Sequence, residues 1–211
     1  MSNLDFIKLN NIKDEFYIDN KSILFIVDMN NGFVKEGALS SERVEKIIPN
    51  IVENIKIFNE IKNPVIAFTD SHIKNSMEFK SYPIHCLENS YESELIDEIK
   101  SFKDIIVIKK SSTNAFLEEK TKKYIDKFIS KGYKNWVICG CITDVCVKQF
   151  AQTLNAYFNV INKGMDVIVP INSVDTYDSS DHNAEVINLF SFYEMSASGI
   201  KVVREIVSPS N

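Results

Sequence analysis

Glycine is scarce in this chain, six in 211 residues, and proline is scarcer still with five. The glycines stand at 32, 37, 132, 140, 164 and 199, and no three of them make the G-x-G-x-x-G turn that seats a dinucleotide pyrophosphate. Gly32 and Gly37 have the offset of a P-loop, but Ala38 and Leu39 occupy the places where lysine and a hydroxyl must meet phosphate and magnesium. With no Pro/Gly/Ser-rich linker to divide it, the sequence predicts one domain over residues 1–211. Long apolar runs are also missing. Stretches such as Ile23–Val27 and Val167–Pro170 fall far short of the ~18 to 20 residues of a membrane helix. There is no basic excess: 24 Lys and Arg face 29 Asp and Glu, a net charge of -5, which argues against nucleic acid and anionic membrane as partners. Met1 to Tyr17 mixes acids, lysines and asparagines without the layout of a signal peptide, so a cytoplasmic protein is expected. In that compartment Cys86, Cys139, Cys141 and Cys146 are expected as thiols.

What is present is an alternation of strand-like and helix-like stretches. Lys21–Asp28, Pro64–Thr69, Asp104–Lys109, Asn135–Cys139, Asp166–Val169 and Ile200–Arg204 are short β-branched, apolar runs of the kind buried on both faces of a sheet. Between them lie helical patterns. One starts at Ser40 or Ser41 and carries Val44, Ile47, Ile48, Ile51 and Ile55 on one face, with a kink expected at Pro49. Others span Glu118–Lys131, Thr143–Phe158 and Asp181–Tyr193, with a short one near Glu92–Lys100. Crossovers of that length require a mainly parallel, doubly wound, six-stranded α/β sheet with helices on both faces, for which we expect the strand order 3-2-1-4-5-6.

Ligands of open parallel sheets bind at the carboxyl ends of the strands, so the residues there matter most. The first strand ends in Asp28, the second in Asp70 followed by His72, the third in Lys109 and Lys110, and the fourth runs into a segment ending at Cys146. Taken singly, Lys110 is most simply a solvated charge, Cys139 an inert core thiol and His182 a structural histidine. Taken together, the expected order brings a carboxylate, an ammonium and a thiol to one rim. A cation and a helix N-terminus capped by Thr143 would lower the Cys146 pKa, Asp28 could carry its proton, and backbone N–H groups near Ile142 and Cys146 could hold an oxyanion. Asp70, His72 and His85 have the composition of a divalent-metal site with open positions.

These segments resemble those of the nicotinamidase and isochorismatase-like cysteine hydrolases, from about Ser22 to Val203. Ile26-Val-Asp28-Met-Asn-Asn-Gly-Phe33 is similar to V-D-x-Q-x-x-F, Lys110-Ser-Ser-Thr-Asn-Ala-Phe116 to K-x-x-x-S-A-F, and Gly140-Cys-Ile-Thr-Asp-Val-Cys146-Val to G-x-x-T-D-x-C-V. The resemblance implies Asp28, Lys110 and Cys146 as catalytic residues, Ile142 and Cys146 as backbone donors to an oxyanion, Phe33 as a substrate-pocket wall, and a non-proline cis peptide between Cys141 and Ile142. Asp70-Ser-His72 and Pro83-Ile-His85-Cys86 look like the D-x-H and P-x-H-C segments that hold zinc, iron or manganese in the nicotinamidase branch. The implied activity is hydrolysis of a small carboxamide, nicotinamide first, to acid and ammonia through a thioester, by a dimeric or tetrameric homo-oligomer. The alternatives are a metal-independent relative acting on another amide, a carbamate or an enol ether, and a non-enzymatic thiol protein using Cys139, Cys141 and Cys146.

Overall fold

A computed structural model describes residues 13–208; the first twelve residues, most of the segment read for a leader, lie outside them. The strands are β1 (Glu15–Tyr17), β2 (Ser22–Val27), β3 (Val65–Asp70), β4 (Ile105–Lys110), β5 (Asn135–Cys141), β6 (Asp166–Pro170), β7 (Val174–Asp175), β8 (Lys201–Val203) and β9 (Glu205–Val207). The longer helices are α1 (Ile48–Glu60), α2 (Glu119–Ser130), α3 (Lys148–Val160) and α4 (Ala184–Ala197).

The main sheet is wholly parallel, with the path β4-β3-β2-β5-β6-β8, which is the expected order of the six sequence-predicted strands. It has seven strands rather than six because β7 also pairs with β5, and β1 joins β9 in a separate two-stranded sheet. Every residue of β2 and β3 is buried, which is why those segments read as continuous apolar runs.

Alternate side chains of the central strands serve two layers. Leu24, Ile26, Val65, Ala67, Val137 and Cys139 pack with Ile51, Ile55 and Phe58 of α1. Ile23, Phe25, Ile66, Phe68, Trp136 and Ile138 pack with Ile125 of α2, Phe150, Leu154 and Phe158 of α3, and Met195 of α4. Burying each such side chain stabilises the fold by ~1.5–3 kcal/mol. Phe25 lies between Phe68 and Trp136, at ring-centroid distances of 5.7 and 5.9 Å, and meets Phe150 edge-on at 5.2 Å. These contacts bolt β2, β3, β5 and α3 together beneath the strand ends that carry the polar residues.

Two local departures have physical causes. The helix predicted from Ser40 or Ser41 is broken: Ser41 Oγ accepts from the Arg43 N–H and caps a single turn, Glu42–Glu45, before α1 begins at Ile48. Pro49 therefore starts a helix instead of kinking one, since the first turn needs no N–H from it. Gly140, paired with Val27 across β5 and β2, has φ +111°, and a Cβ there would strike the Val27 backbone. Only glycine suits that close approach.

Candidate active site

The rim of the sheet is built from residues that leave the strands in unusual ways. Asp28, just past β2, has φ +52°, a left-handed conformation for a residue with a Cβ. Its N–H donates to the Phe68 carbonyl at 3.1 Å, which fixes where its side chain emerges. Asn30 grips the next strand at two points: its Nδ2 donates to the Asp70 carbonyl at 3.0 Å, and its Oδ1 accepts from the Asp70 N–H at 3.2 Å. Register places Lys110 beside Asp70.

Lys110 is the hub. Its Nζ lies 2.8 Å from Asp28 Oδ2, 2.8 Å from Asp70 Oδ1, 3.0 Å from the Ser112 carbonyl and 3.8 Å from Cys146 Sγ. The reading of Lys110 as a solvated charge is wrong: the residue is buried, and two carboxylates make that burial tolerable. Asp28 faces the Cys146 side chain as well as the Lys110 ammonium, so carboxyl, ammonium and thiol lie within reach of one another.

Cys146 lies in a single wide turn, Thr143–Val147, that runs into α3. The peptide between Cys141 and Ile142 is cis, as the resemblance implies. The N–H groups of Val145 and Val147 both donate to the Ile142 carbonyl, at 3.2 Å each. Thr143 does not cap this turn as expected. Ile142 is the residue before it, Thr143 is already inside it, and the Thr143 hydroxyl has no partner among the described residues.

Burial and charge act on the sulfur together. Burial pushes the Cys146 thiol well above its ordinary pKa, and the Lys110 ammonium only partly opposes this while Asp28 and Asp70 add to it. Asp28 is raised from 3.8 to about 7, chiefly by burial, against the pull of Lys110 and with a push from Asp70. For Asp70 burial acts upward too, but the ammonium and hydrogen bonds from His72 and His85 outweigh it and hold the carboxyl well below the usual range. Two neighbouring carboxylates are thus split into one that exchanges protons near neutrality and one that stays charged.

Asp70 also faces the histidines. Its Oδ2 lies 2.8 Å from His72 Nε2 and 3.0 Å from His85 Nε2. His85 Nδ1 donates to the Pro83 carbonyl at 2.7 Å and His72 Nδ1 lies 3.3 Å from Ser76 Oγ, which turns both Nε2 atoms inward. Such outer contacts orient metal-binding imidazoles, and an oxygen-plus-two-nitrogen set suits a borderline divalent ion, so the residues fit one. A fourth member went unread in the sequence: Glu78, on the turn Met77–Lys80, brings a carboxylate so that four donor atoms lie within 4.8 Å of one another. It is the only acid between His72 and His85, a signal that could have found it.

A cavity of about 420 Å³ opens onto this group. Asp28, Asp70, His85 and Cys146 form its floor, and Phe33, Leu39, Tyr82, Ile142 and Tyr177 its walls. The geometry thus brings Asp28, Lys110, Cys146, Phe33, Ile142, Asp70, His72 and His85 to one place.

Residues 22–199 match the Isochorismatase domain family. The chain belongs to the isochorismatase family. It is a hydrolase of the kind that acts on carbon–nitrogen bonds of linear amides. Nicotinamidase 1 of Arabidopsis thaliana is 30% identical over 177 residues, 77% of this chain and 72% of that protein. The zinc complex of pyrazinamidase from Pyrococcus horikoshii superposes with a TM-score of 0.71 at 25% identity, over 87% of this chain and 99% of that one. N-carbamoylsarcosine amidase from Thermoplasma acidophilum has the same TM-score of 0.71 at 23% identity, over 87% and 95% of the two chains. Solved amidases named for different amides thus share this fold, and the choice among substrates falls to the site.

Proposed function

We propose that this chain is a cysteine amidohydrolase that converts a small heteroaromatic carboxamide, nicotinamide foremost, to its acid and ammonia through a thioester on Cys146. The observation that carries the reading is the meeting of Asp28, Lys110 and Cys146 at the floor of a cavity that also contains Asp70 and His85. Asp28 in its ionised form takes the thiol proton as Sγ attacks the carboxamide carbon, and the Lys110 ammonium, 3.8 Å from Sγ, balances the charge. The N–H groups of Ile142 and Cys146 receive the oxyanion. Asp28 then passes its proton to the leaving nitrogen, ammonia departs, and the thioester remains. Water loses a proton to Asp28, adds to the thioester and releases the acid, after which the proton returns to sulfur.

When bound, a divalent ion held by Asp70, His72, His85 and Glu78 supplies a Lewis-acid seat for a ring nitrogen of the substrate. The aromatic walls Phe33 and Tyr82 suit a flat ring. The reading takes the metal as zinc, iron or manganese, the enzyme as a homo-oligomer built on a single hydrolase domain, and the compartment as the cytosol, where the four free thiols are at home.

Ammonia release from nicotinamide, pyrazinamide and a carbamate, before and after chelation, tests this reading. Removal of metal is expected to raise KM at least about tenfold and to change kcat by less than about threefold, because the ion anchors the substrate and does not activate sulfur. Turnover of the carbamate alone, indifferent to chelator, would instead favour the metal-independent alternative. The pH profile is a second check. Asp28 is a base only when ionised, so kcat/KM should fall about tenfold per unit below its pKa of about 7 and level off above it.

A further inference from the structure

The third histidine, His182, stands outside the catalytic and metal groups, yet it touches both a cavity wall and the turn that carries Cys146. Its Nε2 lies 3.1 Å from Asp144 Oδ2, and its Nδ1 lies 3.0 Å from the Tyr177 carbonyl oxygen. The ring is thus held at both nitrogens, by a carboxylate on one side and a backbone carbonyl on the other. Its face stacks on the Tyr177 ring, with centroids 3.9 Å apart and planes 14° from parallel. The other Asp144 oxygen accepts from Thr176 Oγ1 at 2.7 Å. Asp144 is two residues before Cys146 in the turn Thr143–Val147, and Tyr177 lines the cavity.

The segment from Thr176 to His182 is secured on its own side as well. Ser179 and His182 exchange backbone hydrogen bonds at 3.0 and 3.3 Å, and Asp178 Oδ1 accepts from the Ala184 N–H at the start of α4. Tyr177 and His182 thus form one unit, fastened to the Cys146 turn by Thr176 and the His182 ring. The charged groups around the ring are Asp144 from the turn and Asp181 next to it in the chain, with the Tyr177 phenol stacked on its face.

We propose that His182 is a positioning residue for this active site: it fixes the nucleophile turn through Asp144 while holding Tyr177 as a wall of the substrate cavity. The inference rests on the reading of Cys146 as the nucleophile. His182→Phe keeps a flat ring for Tyr177 and removes both hydrogen bonds, whereas His182→Gln keeps a donor for Asp144.

The experiment measures ammonia release from nicotinamide, thermal unfolding, and the rate at which iodoacetamide alkylates Cys146, the one cysteine lining the cavity among the described residues. We expect His182→Phe to lower kcat at least tenfold with KM changed less than threefold, and to slow alkylation, at an unfolding temperature close to that of the wild type. His182→Gln should recover at least a third of wild-type kcat. Wild-type kcat in His182→Phe, or no recovery in His182→Gln, overturns the proposal. If His182→Phe does not fold, Asp144→Asn takes its place with the same expected fall, and full activity there overturns the proposal equally. Ammonia release that survives Cys146→Ala defeats the underlying reading instead, so the two failures are told apart.

Discussion

Cys146→Ala is expected to lose at least about a thousand-fold in ammonia release while the protein stays folded. The change deletes one sulfur atom at the cavity floor, where Cys146 is 7% exposed, so it leaves no sealed void in the core. What disappears is the only cavity-lining thiol among the described residues. The other three cysteines cannot replace it. Burial pushes Cys139 and Cys141 far up in pKa, and their sulfurs contact the carbonyls of Phe25 and Asp28 at 3.5 and 2.9 Å. Cys86 is raised by burial too, and its sulfur contacts the Glu92 carbonyl. Single alanine variants of these three should keep turnover within about threefold of the wild type, which also separates a nucleophile from a cooperating set of redox thiols. The assay pairs product formation with a thermal melt, and substantial ammonia release by Cys146→Ala would sink the thioester mechanism.

Lys110→Met should be the most damaging substitution for stability. The variant keeps an unbranched, flexible stem as far as the ε position but removes the charge shared by Asp28 and Asp70, each 2.8 Å from Nζ. Taking one partner from a buried ionic group costs about 3–5 kcal/mol because the remaining charge is left uncompensated. Catalysis should fail as well, since nothing then balances the charge that grows on sulfur. The pH dependence carries a sign that can be checked. In the wild type Asp70 is depressed below 3.8, so its contribution is present above that value and is lost as pH falls; Asp28 is raised to about 7, so its contribution is present below 3.8 and is lost as pH rises through 7. Without the ammonium Asp28 loses its main lowering partner, whereas Asp70 keeps the hydrogen bonds from His72 and His85, so the change is carried by Asp28. Chemical denaturation of metal-free Lys110→Met should therefore show stability falling from acid to neutral pH, and a flat or rising curve would contradict the assigned role. Adding Asp28→Asn should recover part of the stability and none of the turnover.

Much of this architecture was legible in the chain because it rests on local patterns. Strands such as Ser22–Val27 and Val65–Asp70 are buried on both faces, and their β-branched runs announce that directly. Strand ends in a parallel sheet share one rim, so Asp28, Asp70, Lys110 and Cys146 could be grouped before any coordinates. What escaped depends on contacts between distant segments. β1 and β9 are three residues each and are defined by pairing across nearly the whole chain. Glu78 joins the histidines only because a short turn folds back over them. The burial of the sulfur was not legible, because proximity to a cation is visible in a motif whereas the degree of desolvation is not.

Gly140 gives the arrangement a further meaning. Asp28 follows Val27 directly, and β5 ends one residue after Gly140 and leads into the turn that carries Cys146, so the separation of the two main chains there sets the spacing of the proposed acid–thiol pair. One methyl group inserted at that point would spread the strands and lengthen the proton's journey without altering any reactive atom. In the proposed mechanism the rate would then be set in part by an absence, a side chain that was never there.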